Sequence, residues 1–260
     1  MMARHLQTYV VSVRRRADRR ARMERVLPAA WDVQFTSDWD GPMDRHSAGP
    51  GDLPGFGLGP WEHPGGDLWR SRPLKLGEAG RAMSHWTCWQ QAAADGAGPA
   101  LILEDDAVLA GHFAARLQSL LTRLWMTDPN WDLLYLGRGA IDGEDRPVTK
   151  GIVRPGIRYR TGGYLLSACG LHKVLGCGFE RGLIPVGEFF PARYLNHPRE
   201  DIRLAYPERL SAYAPESALI TQLPEEEAES GPEANAFVVT KNASDERDRR
   251  VSPAQDLEWP

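Results

Sequence analysis

The sequence predicts an α/β fold, a Rossmann-type, mostly parallel sheet flanked by helices. Three observations carry that expectation. Short apolar and β-branched runs alternate along the chain with segments of helical periodicity. One run, Ala100 to Leu103, is apolar throughout and leads straight into three adjacent carboxylates, Glu104, Asp105 and Asp106. That pattern suits a strand buried on both faces whose carboxyl end opens on a ligand site. Just before it, Ala79, Ala82, Met83, Trp86, Trp89 and Ala93 fall on one helical stripe.

Each element can be justified in turn. Leu6 to Val13 reads as the first strand, with Tyr9, Val10, Val11 and Val13 giving β-branched and aromatic bulk. Asp18 can cap a helix reaching Leu27, with Pro28 stopping it. Trp31 to Thr36 is a second strand. Residues 41–73 are dense in Gly and Pro and form a long loop, a candidate lid carrying Trp61 and Trp69. Glu78 to Ala94 is a helix that Gly96 terminates. After the strand 100–103 comes a helix at 111–126, with Phe113, Leu117, Leu120, Leu121 and Leu124 inward. Strands follow at 132–136 and 164–167, and a helix at 168–175. Residues 1–223 then make a single domain. Residues 224–260 are an acidic, mobile tail with a short strand at Phe237 to Val239.

Composition narrows the function classes. Hydrophobic content of 42% and charged content of 25% are those of a soluble globular chain. The net charge of −4 argues against a general nucleic-acid binder. Charge is uneven: residues 1–25 hold eight Arg, and residues 225–260 hold ten acids against four bases. Cys88, Cys169 and Cys177 form neither a disulfide framework nor a zinc motif. The expected setting is a reducing, cytoplasmic compartment, with any membrane contact peripheral.

The acidic triplet carries the chemistry. Three like charges at a strand end repel unless a cation sits among them, and a divalent metal holding a diphosphate is one solution. A solvated acidic turn is the other. All-oxygen ligands suit Mn²⁺ or Mg²⁺. Asp106 is the first candidate ligand and Asp105 the second. His197 is a possible third, with a loop histidine packed on Pro198 as the alternative. Arg14, Arg19 and Lys75 are candidates for the diphosphate. The helix starting near Glu78 could aim N–H groups at a phosphate, or Glu78 could simply favour the helix dipole.

Several segments together resemble glycosyltransferase family 25, which includes lipooligosaccharide and procollagen galactosyltransferases. They are Val11-Ser12-Val13-Arg14 with Asp18-Arg19-Arg20, Asp40-Gly41, Leu53-Pro54-Gly55-Phe56 and Gly77-Glu78-Ala79-Gly80 with Ser84-His85 and Trp89. Leu103-Glu104-Asp105-Asp106, Trp131 to Arg138, Gly163-Tyr164, Ile184 to Phe190 and Asn196-His197-Pro198 continue the series in order. The resemblance implies a GT-A-like fold, a UDP-sugar donor, a divalent metal, a hydroxyl-bearing acceptor and inversion at the sugar carbon. It places Ser12 where the family usually has Asn, Asp40 at the uracil or ribose, and Glu104 at the ribose or metal. Asp40 also reads as an Asp-Gly turn. Glu188 becomes the candidate base, with a helix-capping acid as the alternative. Gly187 stands where the family commonly has Asp. The lack of an apolar leader-like stretch argues against collagen as acceptor. An oligosaccharide, a natural product or a hydroxylated peptide remains.

Overall fold

A computed structural model describes residues 6–36, 47–48, 55–59, 61, 74–137, 140–142, 145–158, 161–223 and 237–238. In chain order the elements are β1 (Thr8–Val11), α1 (Ala17–Val26), β2 (Val33–Thr36), β3 (Ser47–Ala48), α2 (Leu76–Ala94), β4 (Ala100–Glu104), β5 (Ala107–Leu109) and α3 (Phe113–Thr127). Then come β6 (Leu133–Tyr135), β7 (Ala140–Asp142), β8 (Arg146–Thr149), β9 (Ile152–Arg154), β10 (Ile157–Arg158), β11 (Gly163–Leu166) and α4 (Ala168–Leu175). The last are α5 (Val186–Tyr194), α6 (Glu200–Ala205), β12 (Ala212–Pro215), β13 (Ile220–Gln222) and β14 (Phe237–Val238).

One eight-stranded sheet organises the chain in the order β2-β1-β4-β11-β6-β12-β9-β8. The pairs β2–β1, β1–β4 and β6–β12 are parallel. β11 runs against both β4 and β6, and β9 against both β12 and β8. All strands except β9 and β11 therefore share one direction, and the sheet is mixed rather than purely parallel. Alternate side chains supply two cores. Tyr9, Ile102, Leu133, Tyr135 and Tyr164 face α2, α4 and α5. Val10, Leu101, Leu103, Leu134 and Leu165 face α1 and α3. The two-sided burial explains why β4 has no polar residue before Glu104.

The expected strands and helices of the first 176 residues are present with ends moved by a few residues, as end fraying and capping dictate. The strands β8, β9, β12 and β13 were not expected. β8 is exposed along its whole length and contains Pro147, so it lacks the apolar pattern of a buried strand. β13 is a three-residue strand whose register comes from β5. Among the described residues no helix is long and apolar enough to cross a membrane. None of Cys88, Cys169 and Cys177 is in a disulfide.

Within the loop, residues 55–59 and Trp61 are described and dock on the chain at 180–183. Gly57 N–H bonds the Glu180 carbonyl at 2.8 Å, Leu183 N–H bonds the Gly57 carbonyl at 2.8 Å, and Gly59 N–H bonds the Leu183 carbonyl at 2.9 Å. This close strap needs glycine: a Cβ on Gly57 or Gly59 would stand 2.3 Å from a backbone oxygen of Arg181 or Gly182. Trp61 follows, 3% exposed within the core. It is a packing residue in this structure, not a surface for stacking sugar rings. Trp69 and most of residues 41–73 lie outside the described residues.

Of the tail only residues 237–238 are described, and they form a two-residue parallel pairing of β14 with β3. So short a ladder adds little stability. A chain ending at Leu223 is expected to melt within a few degrees of the full chain in scanning calorimetry. A fall of more than about 10 °C, several kcal/mol for a domain of this size, would mean that the tail docks.

Candidate active site at the carboxyl end of β4

The triplet sits where the strand pattern puts it, at the end of β4. Glu104, Asp105 and Asp106 are 4%, 6% and 7% exposed, so it is not a solvated acidic turn. The three carboxylates have different surroundings. Asp105 turns toward α1 and pairs with Arg19, Nη1 to Oδ1 at 3.0 Å, with both side chains buried. Arg22, on the same helix, donates to the Asp105 carbonyl at 2.8 Å and the Ala107 carbonyl at 2.7 Å. The arginine-rich start of the chain thus secures the backbone of the triplet.

Glu104 is enclosed by donors. Thr161 Oγ1 and His85 Nε2 address Oε1, the latter at 3.3 Å. Gln222 Nε2 lies 3.4 Å and Arg81 Nη1 3.7 Å from Oε2. Burial alone would raise the pKa of Glu104. Arg81 and the bonds from His85 and Thr161 outweigh it and hold the group at about 2. Behind His85 a directed chain continues. Trp89 Nε1–H donates to Tyr164 Oη at 2.8 Å. Tyr164 Oη lies 2.7 Å from His85 Nδ1. If the tyrosine hydroxyl donates to Nδ1, His85 keeps its proton on Nε2 for Glu104 and every group in the chain is satisfied. Arg81 and His85 are four residues apart on α2, so one helical face delivers both.

Asp106 is the carboxylate with the weakest partners. Gln222 Nε2 stands 3.2 and 3.4 Å from its two oxygens. Burial, and then the charge of Glu104, push its pKa up to about 6. The sign for stability follows directly. A raised folded pKa means that ionisation of Asp106 opposes folding. Its favourable contribution is complete below the ordinary carboxylate range and is lost as pH rises through about 6. Asp106→Asn is therefore expected to stabilise metal-free protein at pH 7.5 by on the order of 2 kcal/mol, read as a higher melting temperature. The gain should shrink toward zero near pH 4. Thermal melts across pH check this, and a loss of stability at pH 7.5 would contradict it.

The other candidate residues are spread around this centre. Ser12, at the end of β1, is buried and its Oγ accepts Arg20 Nε at 3.3 Å. Arg14 is exposed in the turn before α1. Glu78 bonds back to the Lys75 backbone N–H at 2.9 Å, which is an N-terminal capping contact of α2. Ser84 bonds the Gly80 carbonyl within α2. Asp40 lies outside the described residues.

Glu188 and His197 stand together on another element pair. Glu188 is in the first turn of α5, which Pro185 opens. Its Oε2 is 2.7 Å from His197 Nε2. His197 Nδ1 accepts the Arg199 backbone N–H at 3.2 Å. With both ring nitrogens engaged, His197 has no lone pair to offer a metal in this arrangement. The possible third ligand here hydrogen-bonds the candidate base. α5 packs on the wall of the acidic site, since Phe190 lies 4.8 Å from the Tyr164 ring and Phe189 5.6 Å from Trp89.

Arg22, Arg81, Thr161 and Gln222 were not expected from sequence. Only Arg81 carried a readable signal, its i, i+4 spacing to His85. The others arrive through long-range pairing, Gln222 by the register of β13 on β5.

Comparison with known proteins decides the family. Residues 64–136 match the model of glycosyltransferase family 25, described as an LPS biosynthesis protein family. That span runs from the loop through α2 and β4 to the end of β6. The Xenopus laevis procollagen galactosyltransferase 1-B is 32% identical over 224 residues. The chain belongs to glycosyltransferase family 25. The Danio rerio procollagen galactosyltransferase 1 is 30% identical over 220 residues. The Bos taurus protein named probable inactive glycosyltransferase 25 family member 3 is 31% identical over 220. These alignments cover 80–82% of this family member and 35–36% of the relatives, so the chain spans about a third of their length.

Proposed function

We propose that this family 25 member transfers a hexose, galactose being the first candidate, from a UDP-sugar to an acceptor hydroxyl at the end of β4. The observation that carries the reading is the buried Glu104–Asp106 pair, in which Glu104 is fixed by four donors and Asp106, among the described residues, is held by Gln222 alone. Among the described residues no three His, Cys, Asp or Glu side chains converge as a complete metal cage. The donor set still fits a hard cation. Mg²⁺ and its analogues are commonly held by one or two carboxylates, with substrate phosphate oxygens and water completing the shell. Asp106 would be the main ligand, with Glu104 beside it. A bound Mn²⁺ or Mg²⁺ would neutralise charge on the departing diphosphate.

The chain's own residues support this in distinct ways. Arg81 and Arg19 keep positive charge near the carboxylates, and Arg14 at the β1–α1 turn is exposed toward solvent for a phosphate. His85 and Thr161 fix Glu104 before substrate arrives, so no reorganisation is needed. Glu188 takes the acceptor proton while the new bond forms on the opposite face of the sugar.

A second reading is a sugar-nucleotide-binding member without transfer activity. Gly187 in place of an acid and the 2% exposure of Glu188 favour it, and four relatives bear names that call them inactive or probable inactive. A screen of UDP-sugars with Mn²⁺, scoring UDP release, separates the two. Slow release from at least one donor supports transfer. Tight UDP binding without release from any donor supports the second reading.

A further inference from the structure

The Glu188–His197 pair has one unused feature. Glu188 and His197 are 2% and 1% exposed, and the hydrogen bond at Glu188 falls on Oε2. Oε1 is buried and has no hydrogen-bond partner among the described residues. A buried carboxylate oxygen without a donor is costly, and such a group calls for an explanation. The protonation of His197 follows from its neighbours. Nδ1 accepts the Arg199 N–H, so it carries no proton, and the ring is neutral with its proton on Nε2. That proton can only be donated to Glu188. The imidazole is itself anchored. Its backbone carbonyl accepts the Arg203 guanidinium. Arg199 donates to the Trp61 carbonyl at 2.6 Å and grips Asp201 with two bonds.

We propose that His197 is a positioning residue, holding Glu188 through Oε2 so that Oε1 is reserved for the proton of an acceptor hydroxyl. The inference rests on the reading of Glu188 as the base. In the step it serves, the acceptor oxygen bonds to the sugar carbon, and the bond from that carbon to the diphosphate breaks. The diphosphate keeps the electron pair, and the acceptor proton passes to Oε1. His197 keeps its own proton throughout. The Trp61–Arg199 contact makes the 55–61 strap part of the support, since it fixes the residue whose N–H sets the imidazole tautomer.

The test is a double-mutant cycle on UDP release from UDP-galactose with Mn²⁺, water acting as acceptor. His197→Ala should lower kcat by about tenfold or more, with KM and UDP affinity within about twofold of wild type. Combined with Glu188→Gln it should lower kcat no further than Glu188→Gln alone, because His197 acts only through that carboxylate. His197→Gln, whose amide N–H can reach the same oxygen, should recover much of the loss and keeps the test open where the alanine variant folds poorly. Multiplying effects in the double variant, or no recovery with Gln, would overturn the positioning role. Normal rates in Glu188→Gln, or no UDP release by wild type, would instead overturn the base reading, and this inference with it.

Discussion

Glu188→Gln is expected to slow sugar transfer by about 10²-fold or more, while UDP affinity in Mn²⁺ stays nearly unchanged. An acceptor hydroxyl is a poor nucleophile near neutral pH, so inversion needs a base on the acceptor side. Gly187 leaves Glu188 as the carboxylate of its segment. The glutamine keeps the size of the side chain and an oxygen for His197 Nε2–H, and removes only basicity. A parallel loss of UDP affinity would mark Glu188 as a donor-site or structural group. A near-normal rate would remove it from the mechanism and move the search to Asp105 or Asp142.

How much of this was legible beforehand depends on the range of each interaction. β4 and the triplet were readable because a two-sided buried strand is written in consecutive residues. α2 and α3 were readable because their stripes recur every three or four positions. Asp105 shows the limit. Its charge was visible, yet its pairing with Arg19, 86 residues away, was not. His197 shows it again: its type suggested a ligand, and its partners Glu188 and Arg199 engage both nitrogens. Gln222 gave no signal at all. A three-residue strand carries too little pattern, and only its register against β5 brings the amide to Asp106. Trp61 was misjudged because Gly- and Pro-rich flanks suggest an open loop, whereas the strap glycines allow close docking on residues 180–183.

The second large effect concerns Asp106. Its carboxylate is buried, carries only the Gln222 amide among the described residues, and has its pKa pushed up to about 6 by burial and Glu104. Such a group gains most from a cation, and a diphosphate brought beside it needs one as well. Asp106→Ala should abolish metal-assisted donor binding and turnover together, yet leave the chain folded, because Arg19, Arg22 and β13 pairing hold the segment independently of that side chain.

Calorimetric titration of UDP, in Mn²⁺ and in EDTA, on wild type and Asp106→Ala, tests the central claim most directly. The account predicts at least about tenfold tighter UDP binding with Mn²⁺ in wild type, ~1.4 kcal/mol, and no difference in the variant. Equal affinity with and without metal in wild type would contradict it.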